Sequence, residues 1–319
     1  MPQEKEAPKI FAGRSSKIFA HKICDYLGTR LGESETIKFS EGTLFIKALE
    51  KVRGKDVYVI QTVGTSPNDE FMELLFYIDA LKRASANSVT AIMPYFAYAK
   101  GDKKDEPRVS IRARVCADCL EAAGVDRVVT MDLHSPQIQG FFKKPVDHLY
   151  AMAALCKEVK QLNIDNMVVV SPDTGFTKNA RKYAKELGAG LAIGDKVRRD
   201  HTETAEVMDI IGEVSGQNAL IVDDFTISCG TLASTARFLK DKGANRILAC
   251  VSHCVMSKKA LDELTNSPIE KVFITDTVEN PEAFQHPKVV MVSMAPVFGD
   301  AIRIIHQKES ISELFNGQP

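Results

Sequence analysis

The chain has 319 residues, of which 45% are hydrophobic and 26% charged, and its formal net charge is −1 at pH 7. This length exceeds the size at which a single core usually stops growing, so we predict two domains. The balanced charge excludes a global basic field for nucleic acid or an anionic membrane surface. The N-terminus has no apolar signal core, and no run approaches the roughly 18 apolar residues of a membrane span, so we expect a cytoplasmic protein.

Short apolar runs recur along the chain, each separated from the next by a helical pattern or a turn. They lie at residues 57–60, 89–93, 128–131, 167–170, 220–222, 247–251, 272–274 and 289–292. This alternation predicts an α/β fold with mainly parallel sheets flanked by helices. The clearest helix has Asn68 in position to cap it and an apolar face marked by Phe71, Leu74 and Ile78.

A faint internal repeat suggests that the two domains are similar. Residues 81–91 and 239–249 match at Leu-Lys, at Ala-Asn and at the final Ala. We therefore predict two similar α/β domains, residues 1–147 and 148–319, with the last segment free to cross back to the N-terminal one. The seven cysteines are an odd number scattered through apolar segments, which argues against a disulfide framework. Cys116, Cys119, Cys250 and Cys254 with His253 are the alternative zinc set, but we interpret them as small core residues.

A basic segment follows the predicted strand that ends at Met93. Its basic residues are Lys100, Lys103, Lys104, Arg108, Arg112 and Arg114. At this place the segment can hold a polyphosphate; the alternative is a solvated loop whose acids, Asp102, Asp105 and Glu106, pair with the bases.

Other polar residues come directly after predicted strands, where ligands bind in open α/β sheets. Asp132 and His134 follow one strand, and His134 can donate to a phosphate or ligate a metal as neutral imidazole, or be structural. Asp173 follows the next strand in the same way. Lys196 and Arg198 end another short strand, where their side chains can point the same way. They either bind an anion or form an exposed basic turn.

The most informative segment is residues 219–232, where a buried apolar run stops at two carboxylates, Asp223 and Asp224. A small turn follows, with hydroxyls and a permissive glycine just before a helical pattern. Its residues are Ser228, Cys229, Gly230 and Thr231. This turn, which we call the phosphate loop (residues 228–231), suits a phosphate at a helix N-terminus, and the acids suit sugar hydroxyls and magnesium.

The phosphate loop with its two acids, the 132–134 segment and the basic segment together resemble the ribose-phosphate pyrophosphokinases, a family with a type I phosphoribosyltransferase-like fold. The resemblance runs from about residue 10 to residue 315. It implies that ATP and ribose 5-phosphate are substrates, that Mg²⁺ is the cofactor, and that the chain forms a homo-oligomer in which dimers assemble to a hexamer. It also implies that the adenine site borrows residues from a neighbouring subunit.

The resemblance assigns roles to single residues. It implies that Asp223, Asp224, Ser228, Cys229, Gly230 and Thr231 bind ribose 5-phosphate. It implies that Phe39, Glu41, Lys100, Asp102 and His134 bind ATP, with Phe39 stacking on adenine unless it is a core residue. It makes His134 and Asp173 metal ligands, and Lys196 and Arg198 the catalytic pair that stabilises the transferred diphosphoryl group.

Several positions depart from the family pattern. Ile227 stands at the place of an aspartate in the phosphate loop segment, and Thr43 where an acid usually faces the nucleotide. Lys100 and Gly101 replace Arg-Gln, and Lys51 replaces a serine linked to a regulatory site in some members. Two alternatives therefore stay open beside the synthetase: a catalytically weak regulatory paralogue that binds synthetase subunits, and a phosphoribosyltransferase.

Overall fold

The protein divides into two compact units. The computed structural model describes residues 7–197 and 206–311, with the backbone alone for residues 196, 197 and 206–208. Within this part, the first unit comprises residues 7–150, Thr277–Glu279 and residues 294–311. The second comprises the described residues of Ala151–Asp276 together with Asn280–Ser293. The chain thus returns twice to the first unit after leaving it.

The elements alternate along the chain as the apolar runs predict. The strands are β1 (Lys9–Ala12), β2 (Ser34–Lys38), β3 (Leu44–Ala48), β4 (Asp56–Ile60), β5 (Ser88–Met93), β6 (Arg127–Met131), β7 (Val146–Leu149), β8 (Met167–Ser171), β9 (Gly190–Val197), β10 (Glu206–Ile211), β11 (Asn218–Thr226), β12 (Ile247–Cys254), β13 (Lys271–Thr275) and β14 (Val289–Val292). The helices are α1 (Lys17–Leu27), α2 (Pro67–Arg83), α3 (Arg112–Ala123), α4 (Met152–Lys160), α5 (Thr177–Leu187), α6 (Gly230–Asp241), α7 (Lys258–Thr265), α8 (Pro281–Phe284) and α9 (Ala295–Gln307).

The first unit is built on a five-stranded parallel sheet in the order β1-β4-β5-β6-β7. Its strands bury apolar side chains against helices α2 and α3. A separate antiparallel hairpin, β2 with β3, packs Ile46 and Ala48 against the same core. β7 was not predicted, because this four-residue strand contains Asp147 and His148 and lies where we expected the domain boundary.

The second unit has a seven-stranded sheet in the order β10-β9-β8-β11-β12-β13-β14. Neighbouring strands run parallel, except that β9 and β10 form an antiparallel pair. Every residue of β12 is buried, as expected for a strand covered on both faces. The predicted α/β class with mainly parallel sheets is confirmed. No helix among the described residues is long and apolar enough to span a membrane.

The start of α2 differs from its prediction. The helix begins at Pro67, after Ser66, and Asn68 lies inside its first turn. The side-chain oxygen of Asn68 accepts a hydrogen bond from the Tyr98 hydroxyl instead. The carboxylate of Glu70 takes over the capping, because it accepts the backbone N–H groups of Gly64 at 2.6 Å and Ser66 at 3.0 Å. The assignment of Asn68 as the cap was therefore wrong.

Candidate functional site

The two acids of the second unit lie on a strand that outruns its neighbour. β11 continues past Asp223 and Asp224 to Thr226, so the prediction that the strand stops before the acids was wrong. β8 pairs with β11 only over residues 218–221, whereas β12 pairs with it as far as Thr226. Asp224 is 6% exposed and Asp223 is half-buried. The acids are therefore held on rigid backbone at the carboxyl edge of the sheet.

Asp173 belongs to the same group of charges. It follows β8, and its Oδ1 accepts the N–H groups of Gly175 at 2.9 Å and Phe176 at 3.1 Å, which orders the turn into α5. Burial, together with repulsion from the carboxylates of Asp224 and Asp173, raises the pKa of Asp223 well above the ordinary range of an aspartate. A cation or a set of hydroxyl donors at this place would relieve that repulsion.

The phosphate loop connects β11 to α6. Cys229 adopts a left-handed conformation with φ of 61°, and α6 begins at the next residue, Gly230. The Cys229 side chain is 1% exposed in the core, and burial raises its pKa to about 12. Any contact from Cys229 to a ligand therefore comes from its backbone. The Ser228 hydroxyl oxygen lies 3.4 Å from the Gly230 N–H that donates to it, at the positive end of the α6 dipole.

In the first unit, Asp132, Leu133 and His134 form a bent segment after β6, which we call the 132–134 loop. Asp132 has a φ of 38°, and its N–H donates to the Leu149 carbonyl at 3.0 Å. Leu133 is buried in the core, whereas the His134 side chain is exposed. His134 is therefore not a core histidine. His148 accepts the Leu133 N–H through Nε2 at 2.9 Å. The sequence analysis missed this residue, because only its type, a histidine, could have marked it.

The basic segment runs from β5 to α3. Lys100 ends a short 3₁₀ turn and, like Asp102, is half-buried. Gly101 donates its N–H to the Tyr98 carbonyl, and its own carbonyl accepts the Ala113 N–H at 3.1 Å. Arg114, in contrast, pairs with Asp118 at 2.5 Å and donates to a backbone carbonyl. The backbone of Gly101, between Lys100 and Asp102, is thus bonded to the first turn of α3. The guanidinium group of Arg114 is paired with Asp118.

The hairpin turn carries the remaining predicted nucleotide residues. Phe39 is 46% exposed and so is not a core residue. The Thr43 hydroxyl donates to a carboxylate oxygen of Glu41 at 2.5 Å, and this bond lowers the pKa of Glu41. Lys196 lies in β9, where its backbone pairs with Val207, and its side chain is not described. Arg198 lies outside the described residues, so the roles of this pair stay predictions.

Comparison with known proteins shows which family this chain resembles. Residues 8–124 match the model described as the N-terminal domain of ribose phosphate pyrophosphokinase, and residues 195–316 match the phosphoribosyl synthetase-associated domain. The ribose-phosphate pyrophosphokinase of Chlorobaculum tepidum is 46% identical over 311 residues, covering 97% of this chain and 95% of that protein. The enzyme of the same name from Caldanaerobacter subterraneus is 47% identical over 308 residues, covering 96% and 97%.

A solved structure agrees with these relatives. The crystal structure of phosphoribosylpyrophosphate synthetase from Mycobacterium smegmatis superimposes with a TM-score of 0.89 at 35% identity, covering 95% of this chain and 100% of that one. The fold and the site define an α/β protein whose sheet edge carries paired carboxylates and a phosphate loop. The chain belongs to the ribose-phosphate pyrophosphokinase family. The resemblance found in the sequence is confirmed.

Proposed function

We propose that the protein transfers the diphosphoryl group of ATP to the anomeric hydroxyl of ribose 5-phosphate, giving 5-phosphoribosyl 1-diphosphate and AMP. The observation that carries the proposal is the group of carboxylates from Asp173, Asp223 and Asp224 beside the phosphate loop at one sheet edge. Relatives at 46% and 47% identity bear the name of this enzyme.

The second unit supplies the sugar-phosphate residues. Carboxylate oxygens of Asp223 and Asp224 accept hydrogen bonds from the ribose hydroxyls. Backbone N–H groups of the phosphate loop and the hydroxyls of Ser228 and Thr231 hold the 5-phosphate at the N-terminus of α6. Gly230 lets the backbone approach the phosphate closely. The rigid strand β11 fixes the distance between the two groups of ligands.

The first unit supplies the nucleotide residues. The exposed ring of Phe39 is available for stacking on adenine, with Glu41 nearby in the same turn. Lys100 and His134 contact the polyphosphate as donors. Asp102, in the same segment as Lys100, also belongs to the proposed ATP site. Phe39, Glu41, Asp102 and His134 are assigned from positions that match the family pattern, whereas Lys100 replaces an arginine of that pattern.

In the reaction, the anomeric oxygen attacks the β-phosphorus of ATP. A bond forms between that oxygen and the β-phosphorus, and the hydroxyl proton passes to solvent water. The bond between the β-phosphorus and the oxygen of the α-phosphate breaks, releasing AMP. Lys196 and Arg198 neutralise the charge that develops on the transferred group. Preorganised donors of this type contribute roughly 3 to 4 kcal/mol each in other enzymes.

The donor set of the second unit fits magnesium. Among the described residues, no group of three or more His, Cys, Asp or Glu side chains is arranged to hold a metal by itself. Mg²⁺ is usually held by one or two carboxylates together with substrate phosphates and water, which matches the raised pKa of Asp223 beside Asp173. Asp173 is the proposed protein ligand of this unit. The family pattern also assigns His134, a residue of the first unit, as a metal ligand. Bound magnesium reduces the negative charge of the polyphosphate.

We also propose a homo-oligomer in which dimers assemble to a hexamer. The outward face of the hairpin supports self-association, because it exposes several large apolar side chains. They are Ile37, Phe39, Phe45 and Leu49. Ile37 and Phe45 are cross-strand partners, so their side chains form one patch. Light scattering after size-exclusion chromatography measures the mass. Phe45→Glu should lower it, whereas Lys259→Glu, at an exposed position on α7 away from the hairpin, should not.

The test of the catalytic proposal is AMP formation from ATP with and without ribose 5-phosphate. We expect AMP only when the sugar phosphate is present, and we expect a large loss when Asp223 and Asp224 are both replaced by Asn. Asp165→Asn, an exposed acid of the same unit, is the matched control. A folded protein that forms no AMP but binds synthetase subunits would support the regulatory alternative. Consumption of 5-phosphoribosyl 1-diphosphate with a nucleobase would support a transferase.

A further inference from the structure

We propose that His148 is a positioning residue that fixes the 132–134 loop for nucleotide binding. The functional part of this inference rests on the proposed function, because the loop matters for ATP only if His134 contacts the nucleotide. The structural part stands on the contacts of His148 alone. Nothing in the family match or in the sequence pattern assigns a role to this residue.

Two successive residues of β7 hold two successive N–H groups of the loop. The Asp132 N–H donates to the Leu149 carbonyl at 3.0 Å, and the Leu133 N–H donates to His148 Nε2 at 2.9 Å. β7 itself is fixed, since its backbone pairs with β6 from Val146 to Leu149. A backbone bond from Leu149 and a side-chain bond from His148 therefore attach the loop to the neighbouring strand.

The loop needs such contacts because its backbone is strained. Asp132 has a φ of 38°, in the left-handed region of backbone conformation that residues other than glycine rarely adopt. A residue in this region keeps its conformation only when its surroundings determine it. In this conformation the Leu133 side chain is buried in the core and the His134 side chain is exposed.

A buried acceptor is required at this point. Leu133 is 6% exposed, and an N–H group left without a partner in such a place destabilises the conformation that buries it. His148 is 3% exposed, so its ring is buried. The Tyr150 ring lies beside it, at 4.4 Å between centroids. An imidazole that accepts at Nε2 carries its proton on Nδ1. Burial and the Tyr150 contact restrict the ring, so His148 is a fixed acceptor.

The test compares a variant that keeps an acceptor with one that removes it. His148→Gln places an amide oxygen near the position of Nε2, whereas His148→Met fills the space without an acceptor of comparable strength. For both we would measure KM for MgATP, KM for ribose 5-phosphate, kcat, and hydrogen exchange of the peptide that contains Leu133. Thermal melting shows whether each variant is folded.

We expect His148→Met to raise KM for MgATP by roughly three- to tenfold, the effect of one lost hydrogen bond. KM for ribose 5-phosphate should stay the same, since its proposed ligands lie in the other unit, and exchange at Leu133 should accelerate. His148→Gln should restore both properties. If His148→Met does not fold, His148→Ala is compared with His148→Gln by the same readouts.

Two results would overturn the inference: an unchanged KM for MgATP in the folded Met variant, or a Gln variant as defective as the Met variant. A parent protein that makes no AMP would instead refute the proposed function. In that case hydrogen exchange at Leu133 still decides whether His148 holds the loop, with slow exchange in the parent and fast exchange in the Met variant expected.

Discussion

The side chain of Arg112 occupies the space that any side chain at Gly101 would need. A Cβ atom built on Gly101 would lie 2.4 Å from Arg112 Nε, 2.9 Å from its Cβ and 3.1 Å from its Cζ. The Arg112 side chain therefore fills the space beside Gly101. Gly101 and Arg112 are thus in direct contact where α3 begins.

Gly101→Ala should therefore destabilise the protein by about 1 to 3 kcal/mol, the usual effect of overpacking. Arg112→Ala removes the Nε and Cζ contacts but not the Cβ contact, so the double variant should recover part of the loss. Denaturant unfolding of both single variants and the double variant measures the coupling.

Gly140→Ala is the matched control for this experiment, because a Cβ atom at Gly140 would meet nothing within 4 Å. It should change stability far less than Gly101→Ala. Strictly additive effects of Gly101→Ala and Arg112→Ala would contradict the proposed steric coupling.

The raised pKa of Asp223 should make stability depend on pH. Its folded-state pKa lies above the unfolded value of about 4, so the folded state binds the proton more tightly. The stability of the parent protein should then fall as pH rises from about 4 through the folded-state pKa. Asp223→Asn removes this dependence and should be more stable than the parent at neutral pH while losing activity. Urea unfolding across this pH range, without magnesium, measures it.

Asp165→Asn serves as the control, since this exposed acid should leave the pH profile unchanged. The contradicting result is a parent protein whose free energy of unfolding, compared with that of Asp223→Asn, stays constant or rises over this pH range. Ionisation of Asp223 would then not destabilise the folded state. The account of the carboxylate group would then be wrong.

Ile227 follows β11 and is only half-buried, so a carboxylate there does not have to enter the core. Ile227→Asp should lower KM for ribose 5-phosphate, because an added hydrogen bond to a ribose hydroxyl is worth up to about tenfold in binding. Ile227→Asn controls for size with a weaker acceptor. Unchanged KM together with a marked drop in melting temperature would make Ile227 a packing residue.

Lys288 closes the end of α7 in the second unit. Its ammonium group donates to the carbonyls of Leu264 at 3.0 Å, Thr265 at 2.9 Å and Ser267 at 2.8 Å. Lys288→Met should cost about 1 to 3 kcal/mol of unfolding free energy, because it leaves carbonyls at a helix C-terminus without their charged donor. Lys259→Met, an exposed lysine of the same helix, should have little effect. Equal losses in both variants would contradict the capping role.

Much of the fold follows from local pattern. The apolar runs predicted the central parallel strands, because a strand buried on both faces must be continuously apolar. The hairpin of β2 and β3 was not predicted, since its outer face mixes Phe45 with Lys47 and gives no clear alternation. β11 was predicted too short because Asp223 and Asp224 are atypical of a strand; their pairing with β12 overrides that preference.

The site divides in the same way. The position of Asp173 after β8 and that of the phosphate loop before α6 could be predicted, because this strand end and this helix start are marked in the sequence. The acceptor role of His148 could not, because it depends on a contact between Leu133 and another strand. The contact of Arg112 with Gly101 is likewise tertiary, and no local pattern indicates it.

The central claim is that the diphosphoryl group moves as a unit from ATP to the anomeric oxygen. ATP labelled at the β-phosphorus tests this most directly, with ribose 5-phosphate and magnesium present and the products separated by chromatography. We predict that the label appears in 5-phosphoribosyl 1-diphosphate, in equal amount to AMP, and that Asp223→Asn with Asp224→Asn abolishes both. Label that remains in ADP, or that is released as inorganic phosphate or diphosphate without labelled sugar, would contradict the account.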